Sequence, residues 1–464
     1  MSDVSLKIAR IRCDAQDAAA ELAQVRAKLS PQGDVVSEAG RRKTLEVFGE
    51  ALSPRQVVQR ICRDVQAKGR EAVLDYANRI DRGGLTPESM RVAVPDMEAA
   101  HAAAAPEFLA SVRRIRDNIV RFQSAILHKD VRVELPAGGY LAQRYRPLER
   151  VGVCVPGGAA AYPSTVLMTV VPAQTAGVKQ VAVVAPPTRY GSNNPDLLAT
   201  CYELGVREVY RLGGAQGVAA MAYGIEGLPA VQKIVGPGNL FVALAKQQVY
   251  GQVDIDSIAG PSEVVVVADD GADPAYIAAD LIAQAEHSPG SAVLVTWSER
   301  VWRDTATELE KQLATADRGD LTRVGLEEFS ALVLARDSSE ATRIAASFAP
   351  EHLHIQAADP EALLQDIPTA GAAFLGPFSP VAVGDYAAGP SHVLPTSGTA
   401  TWAHGLSAND FLRPHSVISY TSQNLLDVAP DVLMLAGKEG LSAHAESISI
   451  RLDAARRDAG QKGS

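Results

Sequence analysis

The chain has 464 residues, 47% apolar and 21% charged, and its 44 basic and 54 acidic side chains leave a formal net charge of −10. That length calls for more than one ordinary core, and the composition is that of a globular enzyme. Lys and Arg form no basic block of the kind a phosphate backbone attracts, which argues against nucleic-acid binding. The most apolar region, 151–187, is broken by Pro156, Gly157, Gly158, Pro163 and Pro172 and is no membrane span.

The first residues carry early acids and no apolar stretch, so they read as neither signal nor transit peptide. Cys13, Cys62, Cys154 and Cys201 stand far apart without a CxxC spacing. Such spacing fits a reducing compartment, the cytoplasm, better than a disulfide framework. Residues 1–47 are expected to form a mostly helical arm, interrupted by Ser30-Pro31-Gln32-Gly33. Ser53 and Pro54 supply an N-cap and a first-turn proline for a helix carrying Val57, Val58, Ile61 and Val65, which stops near Gly69. From about 150, short β-branched runs alternate with helical segments. Strands are expected at 180–185, 208–212, 233–235, 263–268, 292–296, 331–335, 352–356 and 372–375, with helices such as 195–204, 215–223, 239–249 and 338–348 between them.

This alternation predicts an α/β chain with two doubly wound, Rossmann-like domains and an incomplete nucleotide fingerprint. The first is assigned 48–153 together with 264–406, and the second 154–263. Ligands are expected at the carboxyl ends of the strands. The remainder, 407–464, ends in two helices near 422–436 and 439–448 and is small enough to need a partner surface, another domain or another subunit.

Three glycine turns follow strands: Val155-Pro156-Gly157-Gly158, Gly213-Gly214-Ala215-Gln216 and Gly236-Pro237-Gly238-Asn239. Backbone N–H groups at such junctions can approach an anion, but the full GxGxxG fingerprint is absent, so tight βα turns explain these glycines equally well. Gln284 and His287, three apart at a helix end, can converge on one ion, and Asp385 adds an anionic oxygen. Nitrogen and oxygen donors without thiolate suit zinc, manganese or a similar divalent ion. Glu351 and His352, adjacent at the junction of a helix and a strand, offer two bases of different strength. Each of these residues taken singly also fits a helix cap, an ordinary hydrogen bond or a solvated pair.

Several ordered motifs resemble the histidinol dehydrogenase family. They are Val-Pro-Gly-Gly at 155–158 with Tyr-Pro-Ser-Thr-Val-Leu-Met at 162–168, Leu-Gly-Gly-Ala-Gln at 212–216, and Ile-Val-Gly-Pro-Gly-Asn at 234–239. Next come Ile-Asp-Ser-Ile-Ala-Gly-Pro-Ser-Glu-Val at 255–264, Gln-Ala-Glu-His at 284–287 and Ala-Pro-Glu-His-Leu at 349–353. Gly-Asp-Tyr at 384–386, Gly-Pro-Ser-His-Val-Leu-Pro-Thr-Ser-Gly-Thr-Ala at 389–400 and Glu-Gly-Leu-Ser-Ala-His at 439–444 complete the series. The first 150 residues resemble the family only loosely.

The resemblance implies a zinc-dependent, NAD-linked enzyme that oxidises L-histidinol through the aldehyde to L-histidine with two NAD+. It implies zinc on Gln284, His287, Asp385 and His444, the last contributed by the other subunit of an intertwined homodimer. Glu351 and His352 match the catalytic pair, His352 taking the alcohol proton and Glu351 activating water. Ser262, Gln284, His287, Glu351, Asp385, His392, Glu439 and His444 match substrate-contacting positions. The NAD contacts fall on Gln216, Asn239 and the position of Cys154, where the family usually has Tyr. A relative acting on another small alcohol, such as a sulfonated diol, is the nearest rival, and a decayed, non-catalytic zinc protein a more distant one.

Overall fold

The computed structural model describes residues 6–28, 38–158, 160–258, 260–287 and 290–462; the break expected at Ser30-Pro31-Gln32-Gly33 lies outside them. The strands are β1 (Ala9–Arg12), β2 (Val131–Glu134), β3 (Tyr140–Pro147), β4 (Arg150–Cys154), β5 (Gln180–Val184), β6 (Glu208–Tyr210) and β7 (Lys233–Val235). They continue as β8 (Asp254–Ile255), β9 (Ser262–Ala268), β10 (Gly290–Thr296), β11 (Ala331–Leu334), β12 (His352–Gln356), β13 (Ala372–Leu375) and β14 (Leu412–Ser419). The chain divides into two units. One takes in the residues up to Ala125 together with Leu148–Phe411, the other Ile126–Pro147 with Leu412–Ser464.

The first unit holds two parallel sheets, ordered β6-β5-β4-β7-β8 and β1-β11-β10-β9-β12-β13. Their central strands are buried on both faces, as in Val264–Val267 of β9 and Ala292–Val295 of β10. Cover on both sides is why these strands read as unbroken apolar runs rather than alternating ones. The second unit is an antiparallel sheet, β14-β3-β2, with the helices Ser422–Lys438 and Ser442–Lys462.

Three domain assignments differ from the sequence expectation. The N-terminal arm is not simply helical: β1 adds an edge strand to the six-stranded sheet beside β11, burying Ile11. The segment after residue 47, assigned with 264–406, instead packs on the five-stranded sheet. Its Pro54–Lys68 helix starts at a capping box, in which Ser53 Oγ accepts from Gln56 N–H and Gln56 Oε1 accepts from Ser53 N–H. The apolar stripe of Val57, Ile61 and Val65 then joins Met221, Ile234 and Ala245 in one core. β4, too, lies in the middle of that sheet, between β5 and β7. The C-terminal region was also drawn too narrowly, because its unit recruits β2 and β3 from residues 131–147.

A buried ion pair fixes the turn after β7. Lys246 and Asp256 side chains meet with 2% and 3% of their surface exposed. Asp256 Oδ2 accepts from Gly236 N–H at 2.6 Å, while Lys246 Nζ donates to Gly236 O at 3.1 Å. Gly236 itself has φ +102° and lies against the Cys154 carbonyl, where any Cβ would collide. Removing one buried partner strands the other charge, so Lys246→Met is expected to cost about 3–5 kcal/mol. Lys246→Met/Asp256→Asn, which keeps an acceptor for Gly236, should recover more than half of that loss in urea unfolding.

Candidate active site

β9 and β12 pair in parallel with His352 opposite Val264, which sets the start of β9 beside the residue that precedes β12. There Ser262 Oγ donates to Glu351 Oε2 at 2.5 Å and Glu263 N–H donates to the same oxygen at 3.0 Å. Gln284 Nε2 donates to Ser262 Oγ at 2.7 Å. The order of donors is therefore forced: Gln284 occupies the serine's lone pair, and the serine hydroxyl points at Glu351.

His352 Nδ1 lies 3.1 Å from Glu263 O and 3.6 Å from Glu351 Oε2, and its Nε2 lies 3.9 Å from Asp385 Oδ1. A ring nitrogen facing a carbonyl carries the proton, so Nε2 is the nitrogen with the free lone pair. Glu351 and His352 are only 6% and 4% exposed, so neither is the solvated pair at a strand edge that adjacent Glu and His commonly form. Burial pushes the Glu351 carboxyl up to about 8, against its bonds from Ser262 and Glu263. Burial likewise lowers His352, against the pull of Asp385. One group thus holds a proton near neutrality while its neighbour stays ready to accept one.

The helix Pro274–Ala285, capped at its start by Asp273, brings Gln284 into this cluster and leaves His287 just past its end, at an exposed rim. Desolvation by the surrounding protein lowers the His287 pKa, opposed by the Asp385 carboxylate. Asp385 sits in the short helix Val381–Tyr386, and its carbonyl oxygen faces His392 Nδ1 at 3.0 Å. His392 Nε2 is buried and has no hydrogen-bond partner among the described residues.

Among the described residues no three His, Cys, Asp or Glu side chains form a metal cluster. The donor chemistry within this unit is nonetheless suited to a cation. Gln284 spends its amide nitrogen on Ser262 and keeps its carbonyl oxygen, His287 and Asp385 stand close enough to interact, and an unpaired imidazole nitrogen lies among them. These are nitrogen and oxygen donors of the zinc or manganese type. Glu439 and His444 belong to the second unit, exposed around the junction of its two helices.

The cluster overturns one expectation about polarity. Ser262 and His352 begin their strands and Glu351 precedes β12, so the site lies at the amino ends of the six-stranded sheet rather than the carboxyl ends. The carboxyl-end rule follows from anionic ligands seeking helix N-termini. A cation favours the opposite pole, and Gln284 and His287 sit at the C-terminus of their helix.

Glu263 escaped the sequence reading. It is 3% exposed, and its Oε1 accepts from the backbone N–H groups of Glu351 at 3.2 Å and Ser397 at 2.8 Å. Burial and the Glu351 carboxylate push it up to about 8. The available signal was a carboxylate placed directly before four valines destined for a buried strand.

In the five-stranded sheet the glycine turns at 155–158, 213–216 and 236–239 do follow the carboxyl ends of β4, β6 and β7. The strand order reverses between β4 and β7, the usual place for a dinucleotide. Gln216 is buried and donates to Asp81 Oδ2 at 2.9 Å. Asn239 caps the helix Leu240–Val249, its Oδ1 accepting from Phe241 and Val242 N–H groups. Cys154 ends β4 with a buried thiol pushed up to about 12, a small apolar residue rather than a nucleophile.

The histidinol dehydrogenase family model matches residues 49–452. A histidinol dehydrogenase from Rhodopirellula baltica is 60% identical over 94% of this chain and 95% of its own. One from Heliobacterium mobile is 46% identical over 89% and 96%. The crystal structure of histidinol dehydrogenase from Elizabethkingia anophelis superposes with a TM-score of 0.86 at 30% identity, covering 97% of this chain and 99% of its own. With a family model across most of its length and relatives this similar from end to end, the chain belongs to the histidinol dehydrogenase family.

Proposed function

We propose that this protein oxidises L-histidinol through L-histidinal to L-histidine, a four-electron reaction that reduces two NAD+ and completes histidine biosynthesis. The observation that carries the reading is the buried Glu351–His352 pair, with its two bases held apart in strength at the start of one strand. In the first oxidation His352 Nε2 takes the hydroxyl proton while the carbinol carbon gives its hydride to NAD+. Water then adds to the aldehyde carbon, Glu351 taking its proton and the protonated His352 returning one to the aldehyde oxygen. The resulting diol loses a second hydride to a second NAD+ and a hydroxyl proton to the freed His352.

Zinc held by Gln284, His287 and Asp385, with His444 contributed across a dimer, would supply orientation by binding the substrate's amine and imidazole nitrogens. Ser262 keeps Glu351 aimed, and the unpaired His392 Nε2 supports a contact to substrate. Glu439 and His444 lie in the unit whose Val131, Val133, Ile418, Met434 and Ile450 are exposed, which supports a homodimer with shared sites. Cys154, Gln216 and Asn239 flank the proposed NAD crevice. Cytoplasmic placement is supported by four cysteines that are all free, and among the described residues no helix is long and apolar enough to cross a membrane.

Purified, zinc-loaded protein is expected to form two NADH per L-histidinol consumed, and to lose this activity with a chelator or on His352→Ala. Absence of NADH from histidinol in a folded, zinc-bound protein would overturn the reading in favour of another small alcohol.

Glu351 must be ionised to act as a base, and its raised value means that the ionised fraction grows as pH rises through about 8. The rate of histidinal oxidation should therefore climb across that range. Ser262 lowers the Glu351 value, so Ser262→Ala should move the rising limb to higher pH by about one to two units. A pH–rate profile started from the aldehyde measures both.

A further inference from the structure

Behind the cluster, on the same face of the sheet, lies a second polar group that the proposed reaction does not use. His354 is completely buried, Gln356 is 2% exposed and Asp280 8%. His354 Nδ1 lies 2.9 Å from Asp280 Oδ2, a close ion-pair contact that is off the line of a straight hydrogen bond. His354 Nε2 meets Gly376 O at 3.0 Å, and Gln356 Nε2 donates to the same Asp280 oxygen at 3.2 Å. A carboxylate oxygen thus stands against Nδ1 and a carbonyl oxygen against Nε2, so the ring is held at both edges. Burying such a pair amid the apolar side chains of Val266, Ile277 and Leu281 gives little net stability. Its value lies in what it holds in register.

The two elements that it joins are the two that carry the site. In β12, His352, His354 and Gln356 alternate onto one face. In the helix Pro274–Ala285, Asp280 and Gln284 stand one turn apart on one stripe, and His287 follows a further turn on. The helix crosses over from β9 to the parallel strand β10, and so runs antiparallel to both and to β12. Two residues back along the strand, from His354 to His352, is about 6.6 Å. One helical turn forward, from Asp280 to Gln284, is about 6 Å. The steps match, so a contact between Asp280 and His354 sets Gln284 level with His352.

We infer that Asp280, His354 and Gln356 are positioning residues that lock the metal-binding end of the helix against the catalytic strand. The inference rests on the metal reading above. An apolar contact would let the helix slide or turn by a fraction of a residue. A directional hydrogen bond from Gln356 to one Asp280 oxygen, with the His354 ring close against the same oxygen, does not.

The test uses full-length protein stripped of metal and titrated with Co2+, whose visible absorption reports its ligands. Asp280→Asn keeps the side chain's shape without its charge, and Gln356→Met removes the hydrogen bond to Asp280 and no charge. Ile277→Val, in the apolar core of the same helix, serves as the control for plain loss of stability. Asp280→Asn is expected to bind Co2+ at least about tenfold more weakly, with shifted bands, and Gln356→Met to move the same way by less. Ile277→Val should lower the melting temperature of the metal-free protein and leave Co2+ affinity and spectrum unchanged. Should Asp280→Asn fail to fold, Gln356→Met carries the comparison. Wild-type affinity and spectrum in the folded Asp280 or Gln356 variants, or equal weakening in Ile277→Val, would overturn the inference while leaving the metal reading in place. A wild-type protein that takes up no Co2+ would instead remove the metal reading and this inference with it.

Discussion

The parallel pairing of β9 with β12 is the constraint on which the site depends. Ser262 and Glu351 are 89 positions apart in the chain, yet the register that sets His352 opposite Val264 puts the serine hydroxyl 2.5 Å from the glutamate. Side chains of a strand alternate between faces, so a slip of one residue would carry His352 to the opposite face and bring Leu353 in its place. The valines of β9 make that slip costly, since each is buried between covering layers. The chemistry of the pair is thus secured by apolar packing that has no part in it.

Electrostatic polarity explains how one α/β unit can offer sites of opposite kind. In the five-stranded sheet the glycine turns open toward helix N-termini, where backbone N–H groups favour an anion such as a pyrophosphate. In the six-stranded sheet the cluster collects at a helix C-terminus and at the first residues of two strands, the pole that favours a cation. The two sheets share a winding scheme and differ in which end is used.

Much of this was legible in the sequence, for reasons that differ from element to element. β9 and β10 are covered on both faces and announce themselves as continuous apolar runs, and the Ser53-Pro54 start of a helix follows from local capping chemistry. β1 does not read as a strand, because Ala-Arg-Ile-Arg at a sheet edge buries only Ile11. β2 and β3 are exposed or half-exposed along their length; β2 alternates over only four residues, Val-Arg-Val-Glu, and β3 has no clear alternation. Within the site, adjacent Glu351 and His352 were recognisable as a pair of bases. That Gln284 presents its carbonyl rather than its amide nitrogen depends on Ser262, which is 22 residues distant. Glu263 was hidden for a similar reason: its partners are backbone N–H groups of residues 351 and 397, and no side-chain pattern records those.

The placement of the cluster at strand starts also bears on how such an enzyme could diversify. In most doubly wound proteins the loops after the strands are the adjustable parts, and the loops before them serve only to connect. Here a library that varied the turns at 155–158, 213–216 and 236–239 would reshape the proposed dinucleotide crevice and leave the Glu351–His352 pair untouched. New substrates would have to be sought in the segments that lead into β9 and β12 and in the 386–398 loop, connections that an engineer following the usual map would leave alone.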